Sequence, residues 1–130
     1  MTALDTNVLV RYLAQDDEAQ FRAVLRLLNR KGATFLLCDL VLAETDWVLR
    51  SLYDWTAVEI AESFARLTAI HNLGFEDEAR LRASLRAVRE GADLADELLV
   101  RGCRTRGCLQ MATFDKGMIR RHKPFAFPPV

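Results

Sequence analysis

Charge of one sign is what this chain most plainly lacks: 18 Lys and Arg balance 18 Asp and Glu, giving a formal net charge of zero. An overall basic coat, the usual footprint of a nucleic-acid binder, is thereby excluded, and a polyanionic partner has to be met by a local patch. Cysteine is scarce too. Cys38, Cys103 and Cys108 are odd in number and lack the C-x-x-C pairing and partner histidines of a zinc site, so they read as reduced, structural thiols. No apolar run reaches membrane length, and Asp5 arrives too early for a signal-type segment; a cytoplasmic protein with no membrane partner is expected. His71 and His122 stand in loop-like or terminal stretches, and no Ser/His or Cys/His set suggests nucleophilic catalysis. Repeats, low-complexity tracts and Pro/Gly/Ser linkers are missing as well, so the 130 residues, 51% of them hydrophobic, are expected to form one domain over 1–130.

What is present is an alternation of short apolar runs with helical periodicity. A very short strand at Thr2 to Leu4 leads into a helix from Asn7 to Ala14, and Asp16 and Asp17 open a second helix with Phe21, Val24, Leu25 and Leu28 on its apolar face. Ala33 to Cys38 reads as a buried parallel strand, followed by Asp39 as an N-cap and a helix from Leu40 to about Tyr53. Thr56 and Glu59 match a capping box. A weak strand at Asn72 to Phe75, helices over Asp77 to Glu90 and Asp93 to about Arg104, a buried strand at Cys108 to Thr113 and a basic helical turn at Lys116 to Arg121 complete the pattern. The expectation is an α/β fold with a central, mostly parallel sheet of four to five short strands flanked by helices. Ligands in such open sheets collect beyond the carboxyl ends of the strands.

Asp5, Glu44, Asp96 and Asp115 are the acids this alternation delivers to one edge. Like charges about 4 Å apart repel by roughly 4 kcal/mol at an effective dielectric near 20. A fold that gathers such carboxylates calls for a divalent cation, and hard oxygen donors suit Mg²⁺ or Mn²⁺. Each acid also has an ordinary explanation: Asp5, Asp93 and Asp115 could each cap a helix, and Asp96 could favour the dipole of a first turn. Glu44 shares a helical face with Val41 and Val48, where an unpaired acid is costly. Asp46 reads as a surface partner of Arg50, and Glu97 as solvent-facing.

Taken in order, these segments resemble a PIN-domain ribonuclease, most closely the VapC toxins of toxin–antitoxin pairs. Leu4-Asp5-Thr6-Asn7-Val8-Leu9 is similar to the first acidic motif, Leu42-Ala43-Glu44 to the helix-borne glutamate, Gly91 to Leu99 to the third motif, and Ala112-Thr113-Phe114-Asp115-Lys116 to the fourth. The motifs are short, but they span almost the whole chain in the family's order. Arg101, Arg104 and Arg106 depart from the small residues more usual in that stretch.

The resemblance implies a PIN-like fold and a Mg²⁺-dependent (or Mn²⁺-dependent) ribonuclease with Asp5, Glu44, Asp96 and Asp115 as its catalytic acids. Asp5, Asp96 and Asp115 would hold the metal, and Glu44 would either complete the ligand set or steer the water. Asn7, Thr113 and Asp93 would support them, with Asp96 favoured over Asp93 as the main ligand. Lys116, Arg120, Arg121 and Lys123, with Arg11 in addition, are candidates for RNA contact. A cognate antitoxin and a homodimer are the partners implied, and Trp47, Trp55, Phe125 and Phe127 are candidates for such surfaces, though aromatics at helical spacing are more often core. Two rival readings are a phosphoryl-transfer hydrolase with Asp5 as nucleophile and a catalytically silent PIN binding module. The first expects a second aspartate where Asn7 stands.

Overall fold

The computed structural model describes every residue from Met1 to Val130. The elements run β1 (Thr2–Ala3), α1 (Thr6–Ala14), α2 (Glu18–Leu28), β2 (Phe35–Leu37), α3 (Asp39–Leu52), α4 (Ala57–Leu67), β3 (Leu73–Phe75), α5 (Glu78–Arg89), α6 (Leu94–Thr105), β4 (Met111–Ala112), α7 (Lys116–His122) and β5 (Ala126–Phe127). The strands pair only in parallel, as strands joined by helical crossovers do. They divide into a three-stranded sheet with β2 between β1 and β3, and a separate β4–β5 pair bridged by α7.

Helix starts are written into the sequence by short oxygen-bearing side chains. The carboxylates of Asp5, Asp17, Asp77, Asp93 and Asp115 each accept a hydrogen bond from the backbone N–H three residues on, and Thr56 forms the full capping box with Glu59. Each cap contributes about 1 kcal/mol. Asp39 does not belong to this set. Cys38 takes the cap position of α3 without a side-chain bond, because Asp39 is drawn instead to Arg80 across the sheet edge.

The main core lies between the three-stranded sheet and the helices, around Phe35, Leu37, Leu42, Leu49, Phe64 and Leu81. Burial of each such side chain contributes roughly 1.5–3 kcal/mol. A second cluster of only four buried residues, Val100, Met118, Phe125 and Ala126, holds the β4–α7–β5 unit against α6. Phe125 is therefore core, and Trp55 packs against the main cluster, which leaves Trp47 and Phe127 as the exposed members of the aromatic set.

Four expectations are corrected. The stretch from Cys108 to Thr113 is not a buried strand: pairing is confined to Met111 and Ala112, and Leu109 is exposed because no second layer covers this edge. The buried face of α3 is Leu42, Thr45, Asp46 and Leu49, so Asp46 is no surface residue, and Glu44 points away from the core into solvent. Glu97 is 1% exposed rather than solvent-facing.

Candidate functional site

Asp5 follows β1 directly and opens α1. Its Oδ1 accepts the Val8 N–H at 3.0 Å, while Oδ2 makes no hydrogen bond. Packing of α1 against α3 brings Glu44 to the same place, where its Oε2 accepts the Thr6 hydroxyl at 2.9 Å. Thr6, rather than Asn7, is thus the polar residue that ties these two acids' segments together; Asn7 is exposed and its side chain makes no hydrogen bond. The adjacency of Thr6 to Asp5 was the only sequence signal for that tie.

The third and fourth motifs meet separately. Asp93 caps α6 with its Oδ2 on the Asp96 N–H at 3.0 Å, and its Oδ1 lies 3.6 Å from Arg50. Both of its oxygens are engaged. Asp96, one turn on and half-buried, has neither oxygen hydrogen-bonded. Burial pushes its carboxyl up to about 6, and the neighbouring charges of Asp93, Asp115 and Glu97 add to the shift. No Lys or Arg forms an ion pair with Asp96, so burial and its acidic neighbours together disfavour its charge.

Asp115 completes this group from the start of α7. Its Oδ1 accepts the Met118 N–H at 2.9 Å, and its own N–H donates to the Thr113 hydroxyl at 3.0 Å, so Thr113 does hold the Asp115 loop. Gly117 is a further requirement that the sequence did not suggest: a Cβ there would stand 3.2 Å from Asp115 Oδ1. Behind the acids a cleft of about 500 Å³ is lined by Asp93, Asp96 and Glu97 on one side and by Gly117, Arg120 and Arg121 on the other.

The basic residues divide sharply. Arg11 is committed to a network with Asp16, Gln20 and Tyr53, which also draws the Asp16 carboxyl below its ordinary value through the Tyr53 hydroxyl. Arg121 is paired with Glu97 and Glu90. Lys116, Arg120 and Lys123 are exposed and make no ion pair, so they are the cations of this segment still free for an anionic ligand.

A divalent cation fits the donor chemistry here: the acids offer oxygen only, and the crowding at Asp96 is the kind that a bound cation relieves. No three His, Cys, Asp or Glu side chains are grouped closely enough to form a ready-made cage.

A small parallel sheet flanked by helices, with Asp5 directly after β1 and Asp115 shortly after β4, places the chain in the α/β class. The model of the PIN domain matches residues 2–123, nearly the whole chain, and the protein belongs to that family. PIN domains are generally nucleases that act on RNA and use divalent metal ions. No curated protein matches the chain. No helix is long and apolar enough to cross a membrane.

Proposed function

We propose that residues 1–130 act as one PIN-like unit, a metal-dependent endoribonuclease serving as the toxin of a VapBC-type pair. The observation that supports the metal-dependent part of this reading is Asp96, a half-buried carboxylate beside Asp93 and Asp115 with neither oxygen hydrogen-bonded; the toxin role rests on the order of the motifs. Asp5, Asp96 and Asp115 are the proposed holders of Mg²⁺ or Mn²⁺. When bound, such an ion supplies a water of lowered pKa and offsets charge on the phosphoryl oxygens.

The chain's own residues do the rest. Asp5 and Asp115 each spend one oxygen on capping a helix and keep the other for the ion, so their directions are set before anything binds. Glu44, anchored through Thr6, is positioned to accept a proton from the attacking water or to orient it. Asp93 is a supporting residue, because Arg50 and the Asp96 N–H occupy both its oxygens. Lys116, Arg120 and Lys123 hold the RNA backbone by charge, which makes binding salt-sensitive. The rival in which Asp5 is a phosphorylated nucleophile has no second aspartate in support, since Asn7 stands exposed and unbonded.

A second copy of the chain is the proposed partner at the α3–α6 face, where Leu40, Trp47 and Leu99 are exposed beside a groove of about 550 Å³. The antitoxin is proposed to cover the acidic edge itself. Incubation of total RNA with the protein and Mg²⁺ or Mn²⁺, followed by sequencing of the new ends, tests the activity. Discrete cleavage sites that vanish with EDTA and with Asp5→Asn are expected; identical ends from the mutant would remove the acids from the chemistry. Light scattering tests the dimer, which should show twice the 14.8 kDa chain mass.

A further inference from the structure

Glu97 is the most deeply buried charge in the chain, 1% exposed, and the cleavage chemistry has no use for it. It sits on α6 next to Asp96, but unlike Asp96 its carboxylate is held by cations. Its Oε1 accepts a hydrogen bond from Arg121 Nε on α7, and the same oxygen lies 3.6 Å from His122 Nε2; its Oε2 lies 3.4 Å from Arg101 Nε on its own helix. Every hydrogen bond and ion pair between α6 and α7 passes through this one side chain. The helix it secures is seven residues long and has a single buried residue, Met118, so apolar contact alone gives α7 little purchase.

That helix carries Asp115 at its first turn, and α6 carries Asp96 at its own. Buried ion pairs add little net stability against an apolar alternative, but they can fix which of several packings is adopted. Resting on the reading of Asp96 and Asp115 as metal ligands, we infer that Glu97 is a positioning residue: through Arg121 it locks α7 to α6 and sets the distance between the two carboxylates.

The test uses the full chain, with two readouts. In metal-free protein, Glu97→Gln is expected to speed amide exchange at Met118 and Ile119 by about tenfold, with α3 amides unchanged. By calorimetry, its affinity for Mn²⁺ is expected to fall by about 10- to 100-fold. Arg121→Gln cuts the same link from its more exposed end, so it serves should Glu97→Gln fail to fold, and the double variant should be no worse than either single change. Leu85→Ala, a cut in the main core, should lower global stability while leaving Mn²⁺ affinity as in the wild type. Unchanged α7 exchange in both single variants overturns the inference, as does a loosened α7 that still binds Mn²⁺ with wild-type affinity. A wild type that binds no Mn²⁺ overturns the metal reading itself, and the positioning role with it.

Discussion

Two groups of carboxylates in this molecule are built on opposite plans. Beyond β2 and β3 lie Asp39, Glu76 and Asp77, with the Arg80 guanidinium 2.9 Å from Asp39, 3.4 Å from Asp77 and 3.7 Å from Glu76. Around the starts of α6 and α7 lie Asp93, Asp96 and Asp115, where Arg50 reaches Asp93 at 3.6 Å and no ion pair reaches Asp96. Burial pushes the carboxyls of both Asp39 and Asp96 upward; Arg80 offsets part of the rise at Asp39, which stays raised, whereas Asp96 has only acidic neighbours that add to it. A protein that can finish one acidic cluster with its own arginine leaves the second unfinished. That contrast is the support for the ion site proposed at the second cluster.

The largest effect expected is on cleavage. Asp96→Asn should lower the rate by on the order of 10³-fold, while Asp39→Asn, in the closed cluster, should leave it within about threefold. Equal losses from the two would erase the distinction.

Stability should answer the other way round. Arg80→Met strands partly buried carboxylates and should cost about 3 kcal/mol in urea unfolding. Saturating Mn²⁺, at about 100 times its Kd, should stabilise the wild type by about 2.7 kcal/mol and should fail to stabilise Asp96→Asn. An Arg80 variant should keep that response, since its defect lies in the closed cluster.

The smallest effect concerns pH. A carboxyl raised to about 6 binds its proton more tightly in the folded state than unfolded, so its ionisation subtracts stability as pH rises from about 4 through 6. After allowance for solvent screening at this partly exposed group, the cost above pH 7 is about 1–2 kcal/mol. Metal-free Asp96→Asn should therefore melt about 3–8 °C higher than wild type at pH 7.5 and no higher at pH 4. A mutant that melts lower at pH 7.5 would make Asp96 a structural residue.

Local chemistry was readable from the residues in order. The capping roles of Asp5, Asp93 and Asp115, and the Thr56–Glu59 box, depend on partners three residues away, and the structure has them all. The alternation of strand and helix was equally plain, down to β2 and β3. The face of α3 was not: Leu40, Val41, Leu42 and Ala43 are consecutive apolar residues, so periodicity there admits more than one buried side, and Glu44 was placed on the wrong one. Glu97 was missed for a different reason. Arg101 stands at i+4 and was visible, but the partner that makes burial tolerable, Arg121, is 24 residues away and meets it only in the folded chain. Arg11 and Arg121 show the same limit, since a count of cations cannot say which are already engaged.

The four-residue cluster beneath β4–α7–β5 also fixes how the molecule should behave on warming. A unit resting on Val100, Met118, Phe125 and Ala126 has far less to lose on opening than the body resting on the main core. Its opening would carry Asp115 away from Asp96 while Asp5, Thr6 and Glu44 stay together. Heat should therefore separate these acids reversibly at a temperature where the rest of the chain is still folded, and the proposed activity should fade before global unfolding.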